Sequence, residues 1–280
     1  MIKGISYCSM KDGLAGTHAI DDALAQAKAT GYPALELAIA ADGVLGTSNS
    51  QADCGAIRAQ IEASGVAVES VATGLGWAFN AVSDDASVRK KSIEHHAAAL
   101  ERTAWLGAKA MLMVPGVVKS PISPDIVRYD HALARCREAV KTLLDTAHRV
   151  EVDLCLENVW NGMFCSPVEF AQFVDDVASE RLGIYFDVGN TLGYHQHTPH
   201  WIELLGSRIK RVHFKDFTEK FDWVGAYSFC DLMAGDVPWA QTMAALRDIG
   251  YDGTVVAEML PWDPGILART SAAMDLILAM

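Results

Sequence analysis

Long uninterrupted hydrophobic runs are missing from this chain, although 51% of its 280 residues are hydrophobic. No stretch reaches the roughly 18 consecutive apolar residues that a membrane-spanning helix needs. Residues 1–10 contain no apolar segment long enough for a signal peptide. The apolar residues suffice for one large buried core or two small ones. We therefore expect a soluble cytoplasmic protein that is made without export and does not bind membranes.

Clusters of lysine and arginine are also missing, and the formal net charge is −12 at pH 7. Most of such a surface would repel a phosphate backbone, so we expect no nucleic-acid partner. Ordinary solubility accounts for the acidity equally well. The six cysteines form no Cys-x-x-Cys pair. Several lie in apolar runs, where a reduced thiol behaves as a small hydrophobic side chain, as is typical of a reducing cytosol.

Eight short segments of nearly continuous apolar character are typical of strands buried on both faces of a parallel sheet. They are residues 4–7, 34–37, 66–69, 110–114, 154–157, 183–187, 211–214 and 254–258. Eight stretches with helical periodicity alternate with them, at residues 19–30, 51–64, 87–106, 129–150, 167–178, 199–205, 238–249 and 264–279. Glycines follow four of the predicted helix ends, where a left-handed residue is often needed: Gly31, Gly65, Gly107 and Gly250.

Dividing 280 residues among eight strand–helix units gives 35 residues each, which fits an α/β protein with a (β/α)₈ TIM barrel. We expect a single domain over residues 1–280. A doubly wound open sheet is the alternative. The barrel is favoured because eight alternations that end in a helix close naturally, and because no Gly-x-Gly-x-x-Gly turn follows the first strand.

Four possible metal ligands lie at the ends of the last four predicted strands: Glu157, Asp187, His213 and Glu258. A single strand-end carboxylate more often caps a helix or pairs with a cation. In a barrel, however, the carboxyl ends of all strands converge at one mouth. Three carboxylates crowded there would repel one another, and a divalent cation with one imidazole would satisfy them. We expect one metal ion, Mn²⁺ first, with Co²⁺, Mg²⁺ or Zn²⁺ as alternatives.

Five motifs carry a family resemblance: Leu156-Glu-Asn158, Phe186-Asp-Val-Gly-Asn190, Val212-His-Phe-Lys-Asp216, Gly235-Asp-Val-Pro-Trp239 and Val256-Ala-Glu258. They resemble the xylose-isomerase-like superfamily of sugar isomerases and epimerases, which includes ketose 3-epimerases and inosose dehydratases. The resemblance implies that the four residues above hold the metal and that Glu157 and Glu258 are also the acid and base. The metal would then bind a sugar carbonyl and stabilise the enediolate formed by loss of the adjacent proton.

The sequence departs from the ketose 3-epimerase pattern at three positions. Asn190 stands where the epimerases have a histidine that contacts substrate, Glu219 where they have an arginine, and Met163 where they have a second glutamate. Asparagine can form hydrogen bonds but cannot titrate. We therefore expect the metal site to be retained and the substrate to differ.

Four residues near the predicted mouth are candidates for substrate contact: Asn158, Trp160, Asn190 and Lys215. Strand alternation points Lys215 to the same side as His213, although an ion pair with Asp187 or Asp216 is an equal alternative. Trp160 could stack on a sugar face, but aromatic residues at strand ends pack within the protein at least as often.

The segment 217–234 is rich in aromatic residues and too long for an ordinary loop between strand and helix. It could be a lid over the site or a subunit contact. Glu36 and Glu69 end early predicted strands, where a structural role is favoured over support of the metal ligands.

The residues therefore favour a metal-dependent isomerase or epimerase of a ketose or ketose derivative, free or phosphorylated. One glutamate would remove the proton beside the carbonyl and the other would return it from the opposite face. A dehydratase of inosose type and a non-catalytic carbohydrate-binding barrel are the alternatives. An apurinic endonuclease would need further zinc ligands and a cationic face, which the sequence lacks. A homodimer or homotetramer is expected.

Overall fold

Eight parallel strands form a closed barrel in the computed structural model, which describes residues 1–220 and 228–280. The strands are β1 (Ile2–Ser6), β2 (Ala34–Ile39), β3 (Ser70–Thr73), β4 (Ala110–Met113), β5 (Asp153–Glu157), β6 (Leu182–Asp187), β7 (Ile209–Phe214) and β8 (Thr254–Ala257). Each strand pairs with its neighbours in chain order, and β8 closes the barrel by pairing with β1, Thr254 opposite Ile2. The predicted (β/α)₈ barrel is confirmed.

Eight helices of two or more turns surround the barrel in the described ranges. They are α1 (Ile20–Ala29), α2 (Gln51–Ser64), α3 (Ala86–Leu106), α4 (Tyr129–Val150), α5 (Pro167–Val177), α6 (Thr198–Leu205), α7 (Trp239–Asp248) and α8 (Ile266–Leu278). Ser50 and Asp53 form a capping box that starts α2. Gly65 and Gly107 end α2 and α3 with φ of 73° and 87°, the left-handed conformation predicted for them. No helix in the described residues is long and apolar enough to cross a membrane.

The two faces of each strand enter different cores, because alternate side chains point to opposite faces. On β5, Leu154 and Leu156 join the large core between barrel and helices, whereas Cys155 lies inside the barrel. The inner cluster consists of Ala72, Ala110, Leu112, Cys155 and Tyr185. The next inward position on β5 is Glu157, so the alternation that fills the interior also brings this carboxylate to the mouth.

The third strand lies later in the chain than predicted. The sequence favoured residues 66–69, but β3 is Ser70–Thr73, and only Ala67 of the predicted segment forms a bridge to β2. The error arose because the valines of the first segment favour a strand, whereas Ser70 begins the true strand and Gly74 follows it, and both residue types are common in turns. Glu69 therefore lies at the bottom of the barrel, where it accepts a hydrogen bond from the Thr254 hydroxyl at the start of β8.

Two hairpins extend from the mouth. Lys119–Ser120 pairs with Ser123–Ile126, and Asp216–Thr218 pairs with Ser228–Cys230. The second hairpin forms part of the segment 217–234, for which a lid or subunit contact was predicted. Three of its aromatic residues (Phe221, Trp223 and Tyr227) lie outside the described residues.

Candidate metal centre

Glu157, Asp187, His213 and Glu258 lie together at the carboxyl ends of β5 to β8. Each of them offers one ligand atom, and these atoms all lie within 4.8 Å of one another. Asp187 and His213 are buried, Glu157 is 5% exposed and Glu258 is partly buried. The sequence grouped these four residues from strand order alone, and the structure brings all four together. The cluster could hold a metal ion.

The His213 ring is oriented by a carboxylate from the opposite side of the barrel. Its Nε2 lies 2.8 Å from Glu36 Oε1, and Glu36 also accepts hydrogen bonds from the hydroxyls of Ser70 (2.7 Å) and Tyr185. The other ring nitrogen, Nδ1, faces Glu157 Oε1 at 4.0 Å and Glu258 Oε2 at 3.7 Å. This Nδ1 is buried and has no hydrogen-bond partner among the described residues, so it is the ring nitrogen that faces the acidic cluster and could bind a metal ion.

Asp187 is held by Asn158, the residue that follows Glu157. The Asn158 amide donates to the Asp187 carbonyl (2.8 Å) and accepts from the Asp187 N–H (2.7 Å). Asn190 donates its backbone N–H to Asp187 Oδ1 (3.0 Å) and its side-chain amide to the Asn158 carbonyl (2.8 Å). Both asparagines are buried and bonded to the protein. Their observed contacts position Asp187, and contact with substrate stays a prediction.

Lys215 places its ammonium between two of the acids. Its Nζ lies 3.0 Å from Asp187 Oδ2, close enough for an ion pair although not aligned as a hydrogen bond, and it also pairs with Glu258. Of the two partners predicted for an ion pair, Asp187 is therefore the observed one. Gly189 makes room for this arrangement, because a Cβ there would come within 2.7 Å of the Lys215 Cβ.

The two glutamates have different electrostatic surroundings. Burial raises the pKa of Glu157 to about 8. The Lys215 ammonium and His213 oppose this effect, while repulsion from Glu258 and Asp187 adds to it. Burial also raises the pKa of Glu258, but the adjacent Lys215 ammonium and His213 reverse that effect and hold it below its usual range. One carboxyl thus favours the protonated state and the other the ionised state, a combination suited to an acid and a base.

Asp216 secures the hairpin after β7. Its Oδ1 accepts from the backbone N–H groups of Phe217 (2.9 Å) and Val237 (3.2 Å), and its Oδ2 accepts from the Met233 N–H (2.8 Å) and the Trp239 indole (3.0 Å). All four bonds anchor the loop after β7.

Trp160 lies at the rim between β5 and this hairpin. Its indole N–H donates to the Asn190 carbonyl at 3.0 Å. Its ring stacks on Phe229 with centroids 4.8 Å apart and meets Phe217 edge-on at 5.2 Å. The packing role is therefore observed, and stacking on a sugar stays a prediction.

A cavity of about 500 Å³ adjoins the cluster. Glu157, Lys215 and Glu258 line one side of it, whereas residues from β1 to β4 and the loops after them line most of the rest. Met163 and Glu219, two of the positions that depart from the epimerase pattern, are not among its lining residues. The aliphatic residues of the β1–β4 side were not predicted from the sequence, because apolar residues at strand ends resemble ordinary core residues.

Comparison with known proteins identifies relatives over nearly the whole chain. A family profile described as xylose isomerase-like TIM barrel matches residues 24–274. An uncharacterized protein of Methanocaldococcus jannaschii is 25% identical over 185 residues, which cover 64% of this chain and 60% of that protein. The chain thus spans less than two thirds of this relative's length.

Solved structures show the same fold. D-Psicose 3-epimerase from Clostridium cellulolyticum H10, solved with D-tagatose, superposes with a TM-score of 0.81 at 19% identity, covering 99% of both chains. The 3-keto-D-glucoside 4-epimerase of E. coli superposes with a TM-score of 0.76 at 13% identity, covering 100% of both chains.

Proposed function

Because the chain belongs to the xylose isomerase-like TIM barrel family, we propose that it is a divalent-metal-dependent isomerase or epimerase of a ketose or ketose derivative. The proposal rests on the position of the four possible ligands beside the cavity. The four ligand-type atoms lie within 4.8 Å of one another, and two of their residues, Glu157 and Glu258, also line the adjoining cavity. A substrate in that cavity would reach both carboxylates. The epimerase activities of the structural neighbours agree with this function.

The residues of the cluster fit a divalent cation. The buried, unpartnered Nδ1 of His213 and the three carboxylates provide one nitrogen and several oxygen donors, a set that suits Mn²⁺ best in our proposal. When bound, such an ion would supply positive charge for the oxygen on which negative charge develops. Glu157, Asp187, His213 and Glu258 would hold it.

Proton transfer is assigned to Glu157 and Glu258. One carboxylate takes the proton from the carbon beside the substrate carbonyl, the C–H electron pair moves into an enediolate, and the other carboxyl returns a proton to that carbon. Return from the opposite face inverts the centre with no change in mass. We propose that Lys215 hydrogen-bonds a substrate oxygen, that Trp160 contributes an aromatic face, and that Asn158 and Asn190 act by fixing Asp187, with direct substrate contact as the alternative.

Solvent exchange tests this function directly. The Mn²⁺-loaded protein is incubated with a panel of free and phosphorylated ketoses in deuterated water, and the sugars are examined by mass spectrometry and NMR. We expect one deuterium beside the carbonyl and a new epimer. No incorporation into any sugar, with metal binding verified, would contradict the proposal.

A dehydratase is the second candidate, and the position of Lys215 supports it. Its ammonium lines the cavity beside Glu258, where it could protonate a departing hydroxyl after the same proton abstraction. The product would then be lighter by one water, which the same mass spectra detect. A carbohydrate-binding barrel without activity would bind sugars but exchange no hydrogen.

The remaining proposals concern assembly and location. We propose a cytoplasmic homodimer or homotetramer, which light scattering of the purified chain would identify by mass.

A further inference from the structure

The side of the cavity remote from the acids is almost entirely apolar. Its wall consists of Ile39, Ala72, Leu75, Trp77, Leu112 and Val114. The apolar character continues to the opening, where Leu14 and Ile122 line the cavity and are 71% and 70% exposed. Large apolar side chains are usually exposed singly, so their concentration around one opening indicates a surface that an apolar group covers.

Hydrogen-bonding side chains are scarce on this wall. Among the described residues that line the cavity, only Cys8, Thr73 and Trp77 have a polar side chain apart from Glu157, Lys215 and Glu258. The Thr73 hydroxyl already donates to the Leu112 carbonyl at 2.9 Å, and a thiol is a weak donor. Sugar hydroxyls buried there would exchange water for few partners, at a cost of about 1–3 kcal/mol for each unsatisfied group.

A phosphate is equally ill suited to this wall. In the described lining, Lys215 is the sole cationic side chain, and it is paired with Asp187 and Glu258. A phosphate placed against the apolar wall would leave its charge unpaired and desolvated.

We propose that the substrate is a ketose derivative with an apolar substituent, alkyl or aryl, at the end remote from its carbonyl. This proposal rests on the proposed function and deepens it. The carbonyl end lies at Glu157 and Glu258, and the substituent lies against the wall formed by Ile39, Ala72, Leu75, Trp77, Leu112 and Val114. The apolar wall and the acidic cluster belong to one cavity, so a single molecule can contact both.

Binding measurements with matched sugars test the proposal. Isothermal titration of the Mn²⁺-loaded protein compares a panel of ketohexoses with their benzyl ethers at the terminal hydroxyl. We expect at least one ether to bind about tenfold or more tightly than its parent, from the apolar area removed from water. Equal or tighter binding of the parent sugars, or no binding by any member of the panel, would overturn the proposal.

Three variants test whether the apolar wall causes the preference for the ether. Trp77→Ala removes the largest ring of the wall and should abolish most of the preference for the ether over the parent sugar. Trp262→Ala is the matched control, since Trp262 lies under Lys11, outside the cavity lining, and should leave both affinities unchanged. Ala41→Asp places a charge on the half-buried edge of the wall and should weaken ether binding selectively, which covers the case in which Trp77→Ala does not fold.

Deuterium exchange in the same samples separates the two proposals. Tighter binding of an ether without exchange would support the apolar substituent and contradict the proton transfer. Exchange with no preference for the ethers would support the proton transfer and overturn the apolar substituent.

Discussion

The two halves of the barrel mouth have the same backbone geometry and very different side chains. At the ends of β5 to β8, inward positions carry Glu157, Asp187, His213 and Glu258, which lie within 4.8 Å of one another. At the corresponding level, β2 to β4 present Ala38, Ala72 and Leu112 to the cavity. Strands of one parallel barrel thus serve two roles. One half concentrates charge, and the other provides an apolar surface against which a molecule can lie.

The charged half is stabilised by partners for its buried charges. Buried charges are costly unless each is paired or hydrogen-bonded. Lys215, the Asn190 backbone N–H and Glu36 provide such partners. Glu36 belongs to β2. Among the described residues, it is the acidic side chain from the apolar half that we find bonded to a residue of the metal cluster. It reaches His213 across the barrel interior, below the level of the cavity.

We expect the greatest loss of activity from replacing the two glutamates to which proton transfer is assigned. Glu157→Gln and Glu258→Gln each preserve shape while removing an acid or base and a metal ligand, so exchange should fall by about 10³-fold or more. Deuterium incorporation is the measurement, and circular dichroism checks the fold. Glu62→Gln, an exposed residue paired with Arg58, is the control and should retain full exchange. Full activity in both site variants would contradict the mechanism.

Glu36→Gln tests whether the carboxylate on β2 supports metal binding by His213 on β7. Losing the carboxylate that orients His213 should weaken Mn²⁺ binding by about 10–100-fold, measured by titration calorimetry. Glu69→Gln is a matched control, because Glu69 lies at the opposite end of the barrel beside Thr254. If the two variants bound Mn²⁺ equally well, Glu36 would have no role in presenting the imidazole.

Asn158→Ala removes the side chain that holds the backbone of Asp187 through two hydrogen bonds. Two buried backbone groups lose their partners, which should lower the free energy of unfolding by about 1–3 kcal/mol, measured by urea denaturation. Asn49→Ala removes the acceptor of a half-buried turn bond from Gly46 (2.7 Å) and should cost less. An equal or smaller loss for Asn158→Ala would mean that these two hydrogen bonds add little to stability.

The smallest effect concerns Trp160, at the rim of the charged half. Trp160→Phe retains ring packing on Phe229 but loses the hydrogen bond to the Asn190 carbonyl. We expect about 0.5–1.5 kcal/mol less stability, again from urea denaturation. A larger change would mean that the indole packing matters more than its hydrogen bond.

The sequence predicted the site where residues of metal-ligand type stand at the ends of regularly spaced apolar strands. Glu157, Asp187, His213 and Glu258 end apolar runs, so strand order alone brought them to one mouth. Glu36 was assigned to a strand end, but its bond to His213 joins residues 177 positions apart, and no local pattern encodes such a pairing. Glu69 was misplaced because its strand begins only at Ser70. The aliphatic residues of the apolar wall were not predicted, because cavity-lining and core residues are of the same types.

The Lys215 ammonium has a consequence for how the protein matures. A cluster of acids that waits for a metal would normally resist burial, and some metal sites leave their proteins unfolded until the ion arrives. Here the chain carries its own positive charge into the site, between Asp187 and Glu258. Newly made protein should therefore fold before it acquires an ion, so circular dichroism of the metal-free chain should show a native barrel. The supply of metal would then determine what fraction of the protein is active, whereas the fraction that is folded would not depend on it.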